Sequence, residues 1–404
     1  MIAQKAINIF EKVRVFQRKI YLSAKADNKR KFGILYDKVC RKDILRVAWY
    51  YVKNNKGSAG IDDLTIKEIE DKGVQNFLDE LQVQLKSKKY QPKAVKRVYI
   101  PKANGKKRPL GIPTVKDRVV QTAVKIVIEP IFEADFQDFS YGFRPKRSTN
   151  QAIREIYKYL NFGCEWVIDT DLKGYFDTIP HDKLLLLVKE RVIDKSVIKL
   201  LSLWLEAGIM EDNQVRSNIL GTPQGGVISP LLANIYLNAL DRYWTNNRLA
   251  ERGHDAHLIR YADDFVILCS NNPKKYYNYA KRRISKLGLT LNEDKTRIVH
   301  AGEGFDFLGY TLRKGKSLKT GKYKTYYSPS RKSVKAIKGK IKDITQHGQH
   351  LKLSEVVEKL NPILRGWANY FKSGNSKQHF KSIDNYVTYN LTIMLRKKYK
   401  KPGK

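Results

Sequence analysis

Acidic residues are the scarce class in this chain: 40 Asp and Glu stand against 78 Lys and Arg, for a formal net charge of +38. Solubility alone needs far less. The imbalance points to a polyanion, because each phosphate neutralised releases counterions and adds salt-dependent affinity, although an acidic membrane surface could attract the same charge. Cysteine is nearly absent, and Cys40, Cys164 and Cys269 are an odd, widely spread set without a CxxC. That excludes a disulfide framework or a zinc ribbon and leaves core thiols. Histidine is sparse too. The spacings His254-Asp-Ala-His257 and His347-Gly-Gln-His350 suit metal pairs, but neither has further ligands nearby in sequence, so neither meets the ligand count of zinc. No apolar run approaches the roughly 18 to 20 residues that span a bilayer. The N-terminus does not read as a signal peptide. Ala6, Ile9, Phe10, Val13, Phe16 and Ile20 recur at helical spacing between basic residues, the pattern of an amphipathic helix packed on a domain. Cytoplasm is the default location, with no membrane partner.

What is present is a 404-residue chain with 42% hydrophobic residues, enough for cores in roughly two or three domains. It has no internal repeat and no low-complexity linker, so its parts are expected to pack as one body. Residues 1–95 read as mostly helical and pass through the turn-rich "NNKGSAGIDD". Residues 96–314 alternate short β-rich runs with helices, the mark of an α+β domain. Residues 315–404 form a basic segment whose helical pattern returns from about 325, and residues 331–404 hold 18 Lys and Arg against 4 Asp and Glu. The last residues, "LRKKYKKPGK", read as a frayed basic end.

Four stretches in the middle region carry chemistry. In "LIRYADDFVILC" two strand-like runs flank Ala-Asp-Asp, predicting a tight hairpin with Asp263 and Asp264 at its tip. An isolated Asp-Asp pair is ordinarily turn chemistry. A second acidic site changes that reading: in "CEWVIDTDLKGYFDTIPHDKLL" the run Trp166 to Thr170 is strand-like, Asp171 ends it, and a helix begins near Pro180. Asp171 beside the acidic hairpin would build a hard-oxygen site of the kind Mg²⁺ prefers. Two such ions suit an in-line phosphoryl displacement. Asp169 and Asp177 read as structural neighbours. In "GTPQGGVISPLLANIYLNALD", Ser229-Pro230 marks a helix start with periodicity over Leu231 to Asp241, and Gly221, Gly225 and Gly226 permit close approach of another group, with Gln224 poised to touch a nucleotide. In "KRVYIPKANGKKRPLGIP", Asn104-Gly105 predicts a hairpin whose Lys102 and Arg108 suit a triphosphate.

Taken in order, these blocks resemble reverse transcriptases, and more narrowly the reverse transcriptase/maturase proteins encoded within bacterial group II introns. The resemblance runs from about residue 45 to about 395 and includes "SYGFRPKRST", "LGLTLNEDKTRIV", "FDFLGYTLR" and "LNPILRGWANYFK". It implies an α+β right-hand polymerase, with fingers and palm built on antiparallel sheet and a helical thumb or maturase domain. By resemblance, Asp171, Asp263 and Asp264 are catalytic and bind two Mg²⁺ ions, for which Mn²⁺ could substitute, and Leu172 offers a backbone carbonyl to them. Phe176 would crowd the sugar 2′ position and favour deoxynucleotides, while Lys102, Arg108, Gln224 and Lys295 would contact the incoming nucleotide. "EGFDFLGYTLR" resembles a primer-holding hairpin, and "NNKGSAGIDDLT" an N-terminal extension lying over the template. Trp367, Tyr370 and Phe371 have the spacing of core packing rather than base stacking. Arg331, Lys332, Lys335 and Arg365 of the basic thumb would bind RNA.

The resemblance implies an RNA-directed DNA polymerase acting with an RNA template, a DNA primer and dNTPs, and a splicing cofactor for its structured intron RNA. The chain ends about thirty residues after "GWANYFK" without a Cys or His cluster, so HNH-type second-strand cleavage is not expected. Two other readings stay open: a maturase with a vestigial polymerase, and a reverse transcriptase used in defence or CRISPR adaptation. The oligomeric state is not specified.

Overall fold

The computed structural model describes residues 2–101, 107–211, 214–216, 221, 225–251, 255–317 and 320–399. Five helices come first: α1 (Ile2–Ala26), α2 (Tyr36–Val39), α3 (Lys42–Asn54), α4 (Ile66–Lys72) and α5 (Val74–Lys86). As its spacing predicts, α1 is amphipathic: Val13 is buried and Ile9, Phe10, Phe16 and Ile20 rest on the main core. The side chain of Ala6 lies outside the described residues. A hairpin follows, β1 (Val95–Pro101) and β2 (Lys107–Ile112), paired from Lys96–Ile112 to Pro101–Lys107.

Then comes α6 (Val115–Glu133), apolar on nearly every face and buried along most of its length. A helix of that kind belongs inside a molecule rather than on its surface, and α1 and α3 both pack against it. Its start is fixed by Thr114, whose Oγ1 accepts from the Asp117 backbone N–H at 3.0 Å. The buried Asp117 carboxylate in turn accepts from the Tyr90 hydroxyl at 2.6 Å.

The middle of the chain continues through α7 (Thr149–Asn161), β3 (Trp166–Thr170), α8 (Tyr175–Thr178), α9 (His181–Lys189), α10 (Lys195–Glu206), β4 (Ile209–Glu211), β5 (Gln214–Arg216) and α11 (Ser229–Asn246). The hairpin β6 (Ala256–Tyr261) and β7 (Asp264–Cys269) leads to α12 (Pro273–Lys286) and β8 (Arg297–His300). These strands form two four-stranded sheets, β2-β1-β4-β5 and β6-β7-β3-β8. Pairing is antiparallel except between β1 and β4. The second sheet has apolar residues on both faces: Ile168, Phe265 and Ile267 join the main core, while Val167, Val266 and Leu268 join a second one.

The chain ends with β9 (Phe305–Phe307), β10 (Tyr310–Lys316) and β11 (Tyr323–Pro329), a three-stranded sheet, and then α13 (Arg331–His347), α14 (Leu353–Phe371) and α15 (Lys377–Tyr399) around their own apolar cluster. The helical pattern therefore resumes at 331 and not at 325. The Tyr- and Thr-rich run Tyr323–Pro329 pairs with β10 along its whole length, from Tyr310–Pro329 to Lys316–Tyr323. Among the described residues no helix is long and apolar enough to cross a membrane.

Candidate active site

The strand predicted over Trp166 to Thr170 is β3, the central member of its sheet, held by β7 on one side and β8 on the other. Thr170 faces Phe265 in the β3–β7 register, and its Oγ1 donates to the Phe265 carbonyl at 2.5 Å. One residue further on, Asp171 leaves the sheet beside Asp264, the first residue of β7. Tyr261 pairs with Asp264, so the β6–β7 turn consists of Ala262 and Asp263. The hairpin tip is thus one residue earlier than predicted: Asp263 sits in the turn, and Asp264 belongs to the strand because the ladder closes on it. The carboxylates crowd. The carboxyl of Asp169, one pleat before Asp171, is pushed up to about 6 by burial and then by the charges of Asp264 and Asp171, against the opposing pull of Arg297.

Asp171 is held from the segment 290–296. Its backbone carbonyl accepts from Asn292 N–H at 2.7 Å, and Lys173 N–H reaches the Thr290 carbonyl at 2.9 Å. These bonds flank an antiparallel bridge between Leu172 and Leu291. Alternate carbonyls of an extended chain point to opposite sides, so the Leu172 carbonyl faces away from that ladder. Oδ2 of Asp171 accepts from Asn292 Nδ2 at 2.9 Å, and the Lys295 ammonium spans both carboxylate oxygens at 3.1 and 3.3 Å. The Lys295 side chain is 65% exposed, so the Asp171 carboxylate is ion-paired with a solvent-facing cation. Asp171, Asp263, Asp264 and the Leu172 carbonyl could offer an all-oxygen donor set, the chemistry hard divalent cations favour.

The hairpin turn is fixed from below by residues the sequence reading passed over. Arg260 and Asp241 are both fully buried and paired, with Arg260 Nε 2.9 Å from Asp241 Oδ1. The same guanidinium donates to Asn234 Oδ1 at 2.9 Å and to the Ala262 carbonyl at 2.8 Å. Ala262 adopts φ +58°, a left-handed conformation uncommon for a residue with a Cβ. Gly142, from the "SYGFRP" block, lies directly against it. A Cβ there would stand 2.8 Å from the Tyr261 carbonyl carbon and closer still to the Ala262 nitrogen.

Phe176, on α8, lines the same cleft of about 270 Å³ as Asp263, Asp264, Phe143, Leu110 and Ser229. The glycine-rich turn reaches this cleft, but what approaches Gly221 and Gly225 is the chain itself. A Cβ on Gly221 would lie 2.6 Å from the Phe176 carbonyl oxygen, and one on Gly225 3.0 Å from Leu110 Cδ1. The helix α11 begins at Ser229, with Ile228 rather than Ser229 in the capping position. Lys102 and Gln224 lie outside the described residues, as does the side chain of Arg108, whose backbone pairs with Ile100 on β1.

Two more predicted groups come together near the C-terminus. The "FDFLGYTLR" block forms the β9–β10 hairpin, with Leu308 and Gly309 both at positive φ in its two-residue turn. The Tyr370 hydroxyl donates to the Leu308 carbonyl at 2.9 Å, and Phe371 packs edge-on against Tyr310 with ring centroids 4.7 Å apart. Trp367 packs on Phe371, so all three aromatics have packing roles. Arg331, Lys332, Lys335 and Arg365 are exposed. His347 is exposed and its Nδ1 lies 2.9 Å from the Asp343 carbonyl. His254 lies outside the described residues.

Comparison with known proteins supplies the family. Residues 100–312 match the reverse transcriptase (RNA-dependent DNA polymerase) family and residues 334–404 the group II intron, maturase-specific domain. Protein YkfC of Escherichia coli K12 is 40% identical over 275 residues, covering 59% of this chain and 72% of that protein. The group II intron-encoded protein LtrA of Lactococcus lactis subsp. cremoris is 32% identical over 346 residues, covering 70% of this chain. The chain spans 57% of the length of LtrA. Among solved structures, a partial Cas6-RT-Cas1–Cas2 complex matches at 24% identity and a TM-score of 0.39, covering 62% of this chain and 42% of that one. The chain belongs to the family of reverse transcriptase/maturase proteins encoded within bacterial group II introns.

Proposed function

We propose that the chain is an active RNA-directed DNA polymerase that also binds its structured intron RNA and assists splicing. The observation that supports this reading is the sheet register: β3 ends with Thr170 opposite Phe265, so Asp171 follows at the same end of a buried sheet as Asp264 and the turn residue Asp263. In this reading residues 96–314 supply fingers and palm, with β3, β6, β7 and β8 as the palm floor. Residues 1–95 supply the extension and the start of the fingers, and residues 315–404 the basic thumb or maturase region.

The reaction is attack of a primer 3′-hydroxyl on the α-phosphate of a dNTP. A new P–O bond forms to the primer, the bond to pyrophosphate breaks, and the hydroxyl proton leaves to solvent or a nearby base. Asp171, Asp263, Asp264 and the Leu172 carbonyl would hold two Mg²⁺ ions, or Mn²⁺ in their place. When bound, these ions supply Lewis-acid stabilisation of the attacking and leaving oxygens. The chain's own residues do the positioning. Asn292 fixes the Asp171 carboxylate. Phe176 lines the wall of the cleft, and in this reading its bulk would crowd a sugar 2′-hydroxyl and favour deoxynucleotides. Lys102, Arg108 and Gln224 serve the triphosphate. Lys295 neutralises Asp171 in the absence of ligand, and its exposed, flexible stem allows it to turn to a phosphate. Arg331, Lys332, Lys335 and Arg365 contribute to RNA binding, which for a folded intron rests on shape, phosphates and 2′-hydroxyls.

Primer extension on an RNA template with dNTPs and Mg²⁺, comparing the chain with an Asp263→Ala, Asp264→Ala variant, tests the reading alongside filter binding of structured RNA. The chain should make cDNA and the variant should bind RNA without extending. Tight RNA binding by both with extension by neither would leave a splicing cofactor with a vestigial polymerase.

A further inference from the structure

We propose that Cys164, Asp255 and His257 form a transition-metal site of zinc type at the end of the palm-like sheet opposite the candidate active site. Their ligand atoms all lie within 4.8 Å of one another. The donors come from two segments. Cys164 follows α7 in a turn that includes Gly163 at φ +113°, with its N–H on the Tyr159 carbonyl at 3.1 Å. Asp255, at φ +48°, precedes β6, and His257 is the second residue of that strand. Asp263 lies beyond the far end of β6, so this cluster is spatially separate from the acidic hairpin turn. The inference does not depend on the polymerase reading.

The geometry is partly set for coordination. The His257 ring lies flat on Tyr159, with centroids 3.8 Å apart and planes 13° from parallel, which fixes the imidazole orientation. Its Nε2 is 3.0 Å from Asp255 Oδ1. In a tetrahedral zinc site, bonds of about 2.0 to 2.3 Å place donor atoms roughly 3.3 to 3.8 Å apart. With all ligand atoms already within 4.8 Å of one another, the cluster reaches that spacing by adjustments of up to about an ångström. The cluster has a closed side and an open side. Cys164 is buried, the His257 side chain is 15% exposed and the Asp255 side chain 48%. A cation can enter past Asp255 and keep a water as fourth ligand, while the thiol stays protected.

The donor chemistry selects the metal. A thiolate with an imidazole and a carboxylate suits Zn²⁺ or Co²⁺ and is poorly matched to Mg²⁺, which favours oxygen donors. Metal binding would take a proton from the thiol and give the Asp255 charge a counterion. The neighbouring thiol, Cys269, is fully buried on β7 opposite Ala256 and is outside the ligand set.

The test uses the full chain, stripped with a chelator and titrated with Co²⁺ in millimolar Mg²⁺ to occupy the carboxylate site. One equivalent should bring up a thiolate-to-cobalt band in the near ultraviolet and tetrahedral d–d bands in the visible, both removed by Zn²⁺. Cys269→Ser should retain the bands and Cys164→Ser should lose the thiolate band. His257→Gln, whose folding is checked by circular dichroism, should weaken Co²⁺ binding at least about 10-fold, the scale of perturbing a metal ligand or its support. Absence of a thiolate band at one equivalent overturns the site, as does an unchanged band in Cys164→Ser. If Cys164→Ser does not fold, unchanged cobalt affinity in His257→Gln overturns it equally.

Discussion

At the scale of single residues, the informative group is Asn292, which no motif reading singled out. It makes two contacts to one aspartate: its backbone N–H to the Asp171 carbonyl and its side-chain amide to Oδ2. The second is a hydrogen bond to a charged acceptor, worth about 1.5 to 3 kcal/mol. Asn292→Ala keeps the backbone bond and leaves the carboxylate free to rotate with Lys295. Single-nucleotide extension should then slow on the order of 10-fold or more, since each 1.4 kcal/mol in the barrier is a factor of ten, with KM for dNTP and RNA affinity little changed. An unaltered kcat would show that Lys295 and the strand alone orient Asp171. The placement of Asp171, Asp263 and Asp264 at strand ends was legible because acidic residues stand out in so basic a chain and the flanking runs are strand-like. Asn292 was not, because an Asn in a turn-rich segment is ordinary, and its partner lies 121 positions away. The Cys164–His257 cluster was hidden for the same reason: each residue reads as structural until α7 and β6 are brought together.

At the scale of elements, the β6–β7 hairpin was read to within a residue, since two apolar runs around a short polar interruption admit few alternatives. What holds the turn was invisible, because Arg260 sits in an apolar run and its partner Asp241 ends the periodic stretch of α11. Breaking a buried ion pair by removing one partner costs about 3 to 5 kcal/mol, whereas replacing both partners by apolar groups is often neutral. Asp241→Ala should therefore destabilise the chain by that amount in denaturant unfolding. The double variant Asp241→Leu, Arg260→Met should recover most of the stability. It should still extend primers poorly, because the Ala262 carbonyl loses its guanidinium donor. Recovery of activity with stability would make the pair a packing feature rather than a support for the turn.

The central helix α6 carries a prediction of a different kind. Glu129, facing Lys125 at 3.6 Å, has its carboxyl raised above the usual range by burial, with Lys125 opposing and Glu133 adding to the shift. A raised folded-state pKa gives a stabilising contribution that is full below the unfolded pKa and lost as pH rises through the folded one. Glu129→Gln should therefore melt at a higher temperature than the parent chain at pH 8, with the difference shrinking as pH falls toward 4. A difference independent of pH would assign the change to packing.

For the whole molecule, the governing quantity is the charge of +38 and where it lies. Residues 331–404 hold 18 basic against 4 acidic side chains. Arg331, Lys332 and Lys335 project into solvent at the start of α13, and Arg365 from α14. Solvent-exposed charges of this kind contribute little to folding, so their removal tests binding with the fold intact. If they meet phosphates, each cation removed should reduce the slope of log K against log salt by about 0.7 to 0.9. Replacing Arg331, Lys332 and Lys335 with Gln should lower that slope by roughly 2 to 3 for structured intron RNA. The Asp263→Ala, Asp264→Ala variant should keep or slightly steepen it, since it removes negative charge from a site facing the same polyanion. A slope unchanged by the three substitutions would move the RNA-binding surface off the start of α13 and onto other basic parts of the molecule, leaving the polymerase site and its predictions as they stand.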